Sequence, residues 1–363
     1  MQSQLNSFFA LFYLENNYYL PHFISVMDEM NANSLSFAVV IPEEKSRNIQ
    51  EQNKTTIAFC KKRSIEYYLL PREDLVCKFL IFGNALIPTN IDYQKAVSIF
   101  HGCWGGKNVY LGDTHTKFDI RFVETEFIRE NILRAHPDKR DNTVVVGYSK
   151  LDSLLQENPK EIQDLKEKYN LDPKKKTILY APTFYPSSIR KISENFPELL
   201  SEYNILIKPH FYIYMRKRYI KEFELIQNWN KYDNVYFADL SENSLIPFML
   251  VADILVSDFS AAIYEFAAMG KPVVVNRFVK SRWYYKLMPN KLNGRLDLLN
   301  FDLWEVGDNA YNDKQMVELL KENLENPSKM LDQRMSLVKK VVGDVDGKVA
   351  HRIVKHLKNI LHE

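Results

Sequence analysis

The sequence predicts an α/β fold built on parallel sheets, and three observations carry that reading. Short apolar runs recur along the chain between amphipathic stretches of helical period. The runs are continuous rather than alternating, as in strands covered on both faces. The pattern stops at a charged stretch and then restarts, and 363 residues exceed the roughly 250 that one core holds efficiently, so two domains are expected.

In the first half, "SFFALFYL" (7–14), "SLSFAVVI" (34–41), "IEYYLL" (65–70), "KFLIFG" (78–83), "AVSIFHG" (96–102), "FDIRFVE" (118–124) and "NTVVVGY" (142–148) read as strands. Helices fit 20–31, 45–62 and 124–135. The charged helical stretch 155–177 follows, and then "TILYAPT" (177–183), "NILIKPH" (204–210), "NVYFAD" (234–239), "DILVSD" (253–258) and "KPVVVN" (271–276). Helices are expected over 190–202, 216–229 and 242–251, with a helical tail from 314. The organisation is thus a Rossmann-like domain over 1–155, a second over 156–335, and a C-terminal helix over 336–363 packing back on the first domain.

Charge and cysteine content narrow the classes. With 48 basic and 46 acidic residues the formal charge is +2, so nothing global points to nucleic acid and any anion site must be local. Three cysteines, Cys60, Cys77 and Cys103, are odd in number and lack CxxC spacing, which fits a reducing compartment and argues against a cysteine zinc site. The N-terminus has no basic segment before its short apolar run, and no stretch reaches the roughly 18 apolar residues of a spanning helix. A cytoplasmic protein is expected, with peripheral contact at the inner face of the membrane as the one association left open.

Ligands of open parallel sheets bind outside the carboxyl ends of strands. Four polar turns end buried strands here: His101-Gly102, Pro182-Thr183, Lys208-Pro209-His210 and Ser257-Asp258-Phe259-Ser260. A cleft between two such domains, floored by helix N-termini and lined by Ser, Thr, Lys and His, suits an anionic diphosphate. For the Ser257 to Ser260 turn, capping of the next helix by Asp258 or Ser260 is the competing explanation, and both can hold. His210 is a candidate stabiliser or acid beside a phosphate, or a surface histidine at a strand end. His101 precedes Gly102, Gly105 and Gly106, which let a backbone approach a ligand closely, and is a candidate base. Glu265 is the one carboxylate in an apolar helix, so it bonds either a ribose hydroxyl or a neighbouring cation.

Weaker signals have plain readings. The DxD in "GDVDG" (343–347) precedes a helix, so a turn is expected there rather than a metal site, and no metal or cofactor is called for. His351, His356 and His362 read as the solvated face of a basic terminal helix. Two stretches are basic and aromatic without acids: one holds Lys208, Arg216, Lys217, Arg218 and Lys221, the other Lys271, Arg277, Lys280, Arg282, Lys286, Lys291 and Arg295. They suit a phosphate-bearing substrate, a membrane headgroup layer, or simply a solvated helix face.

The ordered set "FHG", "VVGYSKLD", "ILYAPTF", "ILIKPH", "DNVYF", "VADILVSDFSAAIYEFAAMGKPVVV" and "DGKVAHRIVKHL" resembles the CDP-glycerol glycerophosphotransferase family of teichoic acid and capsule synthesis, over roughly residues 96–360. The resemblance implies a glycosyltransferase-B fold and metal-independent transfer of a polyol phosphate from a CDP-activated donor to a hydroxyl of a lipid-linked or saccharide acceptor. It implies His101 as base, His210 as the group steadying the donor phosphates, and Ser257 and Ser260 as pyrophosphate contacts. The chain departs from the family pattern at Cys103-Trp104, at Phe184-Tyr185 after "APT", and at Ala261 after Ser260. Those departures keep a nucleotide sugar open as donor. A 2-epimerase-like isomerase on the same fold and a non-catalytic nucleotide-binding subunit are the readings from other classes.

Overall fold

The structure, a computed structural model, describes residues 5–43, 47–104, 111–112, 117–154, 158–242, 244–280 and 298–361. Two compact units emerge. The described residues of Met1–Cys103, Val109–Ser153 and Val341–Glu363 form the first, and those of Trp104–Asn108 and Leu154–Lys340 the second.

The first unit holds a seven-stranded sheet among the described residues. Its strands are β1 (Asn6–Tyr13), β2 (Phe37–Pro42), β3 (Tyr67–Leu70), β4 (Leu75–Phe82), β5 (Asp92–Ile99), β6 (Ile120–Val123) and β7 (Thr143–Val145). The spatial order is β3-β2-β1-β4-β5-β6-β7 and every pairing is parallel. Burial on both faces explains the continuous apolar runs. In β1, Ala10 and Phe12 join one core cluster while Leu11 and Tyr13 join the other, as the two-residue period of a strand requires.

One face is covered by the helix Leu20–Ala32, whose Phe23, Val26, Met27 and Met30 recur at helical spacing, and by the C-terminal helix Val349–Ile360. In the latter, Val349, Ile353, Val354 and Leu357 are fully buried. Asp152 fixes its start by accepting the Val349 and Ala350 N–H groups at 3.2 and 2.8 Å. The chain reaches this helix through Gly343, which has φ +87° and passes so close to the Glu124 carbonyl that a Cβ would lie 2.9 Å from it.

The second unit holds β8 (Thr177–Ala181), β9 (Asn204–Ile207), β10 (Val235–Phe237), β11 (Ile254–Ser257), β12 (Val273–Asn276) and β13 (Asp308–Ala310) in the order β10-β9-β8-β11-β12-β13, again all parallel. The strand order reverses between β8 and β11, where ligands of such sheets bind. The polar triplet Asp308–Ala310 offers no apolar run, so β13 is absent from the sequence reading; pairing with β12 makes it a strand. The helix expected over 190–202 shrinks to Phe196–Leu199 with a short turn at Ile189–Lys191. Pro197 is the reason: its ring lacks an N–H and is tolerated only in a first turn.

The second basic stretch is less exposed than its composition suggests. Lys271 donates to the carbonyls of Met249, Leu250 and Ala252, and Arg277 lies over Phe259 and Trp304; residues 281–297 fall outside the described residues. Among the described residues no helix is long and apolar enough to cross a membrane.

Candidate active site

His101 follows β5 at the carboxyl edge of the first sheet. Its Nδ1 lies 2.6 Å from the Gly83 carbonyl oxygen. A carbonyl only accepts, so Nδ1 carries the proton and the neutral ring keeps its basic lone pair on Nε2. The ring stacks on Tyr19 at 4.7 Å and meets the Tyr18 edge at 4.9 Å. Gly83 permits this packing, because a Cβ there would lie 2.8 Å from the Tyr19 ring. The Tyr19 hydroxyl donates to Glu15 at 3.0 Å, and the Asn84 amide reaches the same carboxylate at 3.4 Å. Gly102 is described and half-buried, while Gly105 and Gly106 of the expected glycine loop lie outside the described residues.

His22, Tyr148 and Lys150 sit on the same side of the first sheet. His22 is 2% exposed, its ring meets Tyr148 at 5.3 Å, and its Nδ1 has no hydrogen-bond partner. Burial, then Lys150 and His101 nearby, hold its pKa well below the usual histidine range. Sequence reasoning passed over this residue; the available signal was Pro21-His22 in the first turn of the helix that follows the first strand.

In the second unit the strand ends after β8, β9 and β11 converge. Asp258 is fully buried and its carboxylate accepts from Thr183 N, Ser187 Oγ and Ser188 N, each at 3.2 Å. Burial raises its pKa to about 7 against these bonds. The Ser257 hydroxyl donates to the Ala181 carbonyl at 2.6 Å. Asp258 and Ser257 thus spend their polar atoms tying β11 to the β8 loop that carries Thr183. Ser260 Oγ accepts the Ala262 N–H at 3.2 Å, a local turn contact just before the helix Ala262–Ala267; the N-cap position itself is Ala261, and no side chain caps that helix, so the capping expected of Asp258 or Ser260 is not what this turn does. Glu265 is buried in that helix.

His210 shows the opposite tautomer to His101. Its Nδ1 accepts the Tyr212 N–H at 3.2 Å, so the neutral ring carries its proton on Nε2. Phe184 and Phe211 flank the ring at 4.6 Å each, and the His210 backbone N–H donates to the Pro182 carbonyl at 3.1 Å. The β8 and β9 loops are therefore stitched together, bringing His210 to the Thr183 loop. Lys208 is 7% exposed, with Nζ 5.6 Å from the Tyr214 ring centre. Burial lowers its pKa to about 8, opposed by Glu242 and Asp239.

The remaining motifs resolve simply. Asp346 of the DxD pairs with Arg352 at 2.7 Å and accepts the Lys348 N–H, a helix start. His351 pairs with Glu29, whereas His356 packs on Phe122 at 5.6 Å and so does not belong to a wholly solvated face; His362 lies outside the described residues. No described cysteine is in a disulfide and all three are buried. Among the described residues no three His, Cys, Asp or Glu side chains gather as a metal cage.

Comparison with known proteins agrees with the motif set. The family described as CDP-Glycerol:Poly(glycerophosphate) glycerophosphotransferase matches residues 27–359. The chain is 24% identical over 261 residues to a teichoic acid poly(ribitol-phosphate) polymerase of Bacillus spizizenii, covering 67% of this chain and 38% of that one. It is 29% identical over 225 residues to a teichoic acid glycerol-phosphate primase of Bacillus subtilis, covering 54% and 55%. The chain therefore spans less than two thirds of the length of these relatives. Among solved structures it resembles the Wall Teichoic Acid Polymerase TagF, including a histidine-to-asparagine variant soaked with CDPG, with TM-scores of 0.67 and 0.68, identities of 17% and 16%, and coverage of 98% of this chain and 90% of those chains. At such identity the likeness speaks for the fold. With the match running from residue 27 to residue 359 and both parallel sheets in place, the chain belongs to the CDP-Glycerol:Poly(glycerophosphate) glycerophosphotransferase family and has a glycosyltransferase-B fold.

Proposed function

We propose that this protein transfers a polyol phosphate, glycerol phosphate in the first instance, from a CDP-activated donor to a hydroxyl of a lipid-linked or saccharide acceptor in cell-surface polymer synthesis. The observation carrying the reading is the opposed tautomers of the two strand-end histidines. His101, with its lone pair on Nε2, suits a base; His210, with its proton on Nε2, suits a donor to an oxyanion.

In the proposed step the acceptor oxygen attacks the phosphorus that bears the polyol. Its proton passes to His101 Nε2 and later to solvent. The bond between that phosphorus and the bridging oxygen breaks, and CMP departs with the electron pair. The His210 Nε2–H and the Lys208 ammonium meet the growing charge on the leaving phosphate, and a buried cation acts strongly because little water screens it. Thr183 and Ser260, on loops tied by Asp258 and Ser257, complete the phosphate contacts, and Glu265 takes a ribose hydroxyl. Support comes from the family match and from a neighbour of the same fold soaked with CDPG. Arg216 stacked 3.4 Å over the Tyr212 ring, with Lys217 and Arg218 following, offers a basic-aromatic surface for peripheral contact with anionic lipid at the inner membrane face.

Thermal shift with CDP-glycerol, CDP-ribitol and a panel of UDP- and GDP-sugars tests the donor, followed by assay of CMP release. Stabilisation by a CDP-polyol is expected. Stabilisation by a nucleotide sugar alone would replace this reading with a glycosyltransferase, and UDP-HexNAc turnover without acceptor would replace it with an epimerase. His101→Ala should abolish CMP release while leaving donor-induced stabilisation; His210→Ala should weaken both.

A further inference from the structure

We propose that Glu15 and Asn84 form a hydroxyl-binding subsite beside His101, and that it takes the second hydroxyl of an acceptor whose reacting group belongs to a vicinal diol. The inference deepens the transfer reading above and rests on it for the role of His101 as base.

Strand register brings the three residues together. Tyr13, Phe82 and Ser98 are in-register partners across β1, β4 and β5, and Glu15, Asn84 and His101 each lie two residues beyond the end of their strand. Neighbouring parallel strands are about 4.8 Å apart, so the three chain segments leave the sheet within roughly 10 Å of one another. Strand order reverses between β1 and β4, and open parallel sheets receive ligands in the crevice at such a reversal.

Two links then fix the pair to His101. The Gly83 carbonyl, immediately before Asn84, accepts both the His101 backbone N–H at 2.9 Å and its Nδ1–H at 2.6 Å. On the other side the Tyr19 ring stacks on the imidazole at 4.7 Å, and its hydroxyl donates to Glu15 at 3.0 Å. Glu15 is thus one tyrosine ring away from the base.

The polar atoms left over define the ligand. Tyr19 and, at 3.4 Å, Asn84 both donate to Glu15 Oε1. Among the described residues Oε2 accepts from no donor and no Lys, Arg or His pairs with the carboxylate. A carboxylate only accepts, so the Asn84 nitrogen faces it and Asn84 Oδ1 faces away, likewise without a donor among the described residues. Both side chains are half-buried, so these oxygens remain open to a ligand. Holding the Tyr19 hydroxyl needs one acceptor oxygen, and the pair has two more. Such a set recognises hydroxyl groups and repels phosphate oxygens.

With the reacting hydroxyl at His101 Nε2, the hydroxyl on the adjacent carbon falls to Glu15 and Asn84. Its hydrogen bonds fix the rotation of the reacting carbon–oxygen bond. A glycerol terminus and a sugar ring both carry this diol.

The test uses the full chain in two measurements. Methyl glycerol phosphate, methyl glucoside and the counterpart of each lacking one hydroxyl of the diol are titrated, without donor, into the wild type, Glu15→Gln, Asn84→Ala and Tyr19→Phe, followed by ligand-observed NMR. Thermal unfolding confirms that each variant folds. In the wild type one diol should bind at least about fivefold tighter than its counterpart, and the glycerol or glucoside pair that discriminates identifies a polyol or a saccharide acceptor. That ratio should fall to about one in Glu15→Gln and Asn84→Ala and persist in Tyr19→Phe, which keeps both ligand contacts. No discrimination by the wild type, or a ratio unchanged in Glu15→Gln and Asn84→Ala, overturns the subsite whatever the donor. CMP release from CDP-glycerol is then measured with the same acceptors. Glu15→Gln and Asn84→Ala should lose the diol preference in kcat/KM with little change in donor KM, whereas Tyr19→Phe should lower kcat for diol and counterpart alike. Equal losses for diol and counterpart in all three variants would reduce Glu15 to a support for Tyr19 and overturn the proposal. Diol binding without CMP release would leave the subsite standing and overturn the donor reading instead.

Discussion

A hydrogen bond to one ring nitrogen decides what the other can do, and at the residue scale this separates His101 from His210. Asp258 offers a sharper stability test, since it alone pairs Thr183 N, Ser187 Oγ and Ser188 N. Asp258→Ala should cost about 3 kcal/mol in urea unfolding, because three buried donors lose their acceptor, whereas Asp258→Asn keeps an acceptor oxygen and should cost less. Glu124, after β6, is buried, and burial raises its carboxyl from 4.5 to about 7. The folded state then binds the proton more tightly than the unfolded state. Its stabilising contribution is full below about pH 4.5 and is lost as pH rises through about 7. Asp258 is raised in the same direction, from 3.8 to about 7, so Glu124→Gln should flatten the fall in stability over this window without removing it. A slope unchanged in Glu124→Gln would show that folding leaves the pKa of this carboxyl unraised. The sequence pointed to His101, His210 and Asp258 as residues, but their roles depend on Gly83, Tyr212 and Ser187. A single sequence does not show which carbonyl a ring 18 residues away will meet.

At the scale of elements, local period and turn chemistry carry most of the fold. Twelve expected strands each coincide with an observed one because a parallel strand buried on both faces is a contiguous apolar run. β13 escapes that logic, since its residues are held by β12 rather than by their own apolarity. Gly307 shows how tight that edge is: a Cβ there would lie 2.1 Å from the Val273 carbonyl oxygen. Gly307→Ala should therefore cost roughly 1–3 kcal/mol and lower the melting temperature, because backbone rather than a flexible side chain must give way. A melting temperature within error of the wild type would show that β13 can detach without cost to the rest of the second sheet.

At the scale of the whole molecule, the chain's last helix completes the core of its first unit. Val349, Ile353, Val354 and Leu357 are each worth roughly 1.5–3 kcal/mol on burial, together comparable to the about 5–15 kcal/mol that holds a typical domain folded. A chain truncated after Gly343 should lose cooperative unfolding of that unit and its near-ultraviolet circular dichroism, and elute as aggregate on size exclusion. A monomeric, cooperatively folding truncation would show that helix Leu20–Ala32 can cover the sheet alone. Arg334, 1% exposed, binds the carbonyls of Gly270, Pro327 and Lys329 and anchors the tail before it leaves the second unit.

By itself the sequence determined the parallel α/β class, the restart into a second sheet and the strand-end turns, because hydrophobic period, helix punctuation and turn chemistry act over a few neighbouring residues. Tertiary structure decided the strand order, the tautomer of His101, the commitment of Ser257 and Asp258 to the β8 loop, and the buried His22. Those outcomes are contacts between residues far apart in the chain, such as the 76 residues from Ser257 to Ala181, and only packing brings such groups within hydrogen-bond reach.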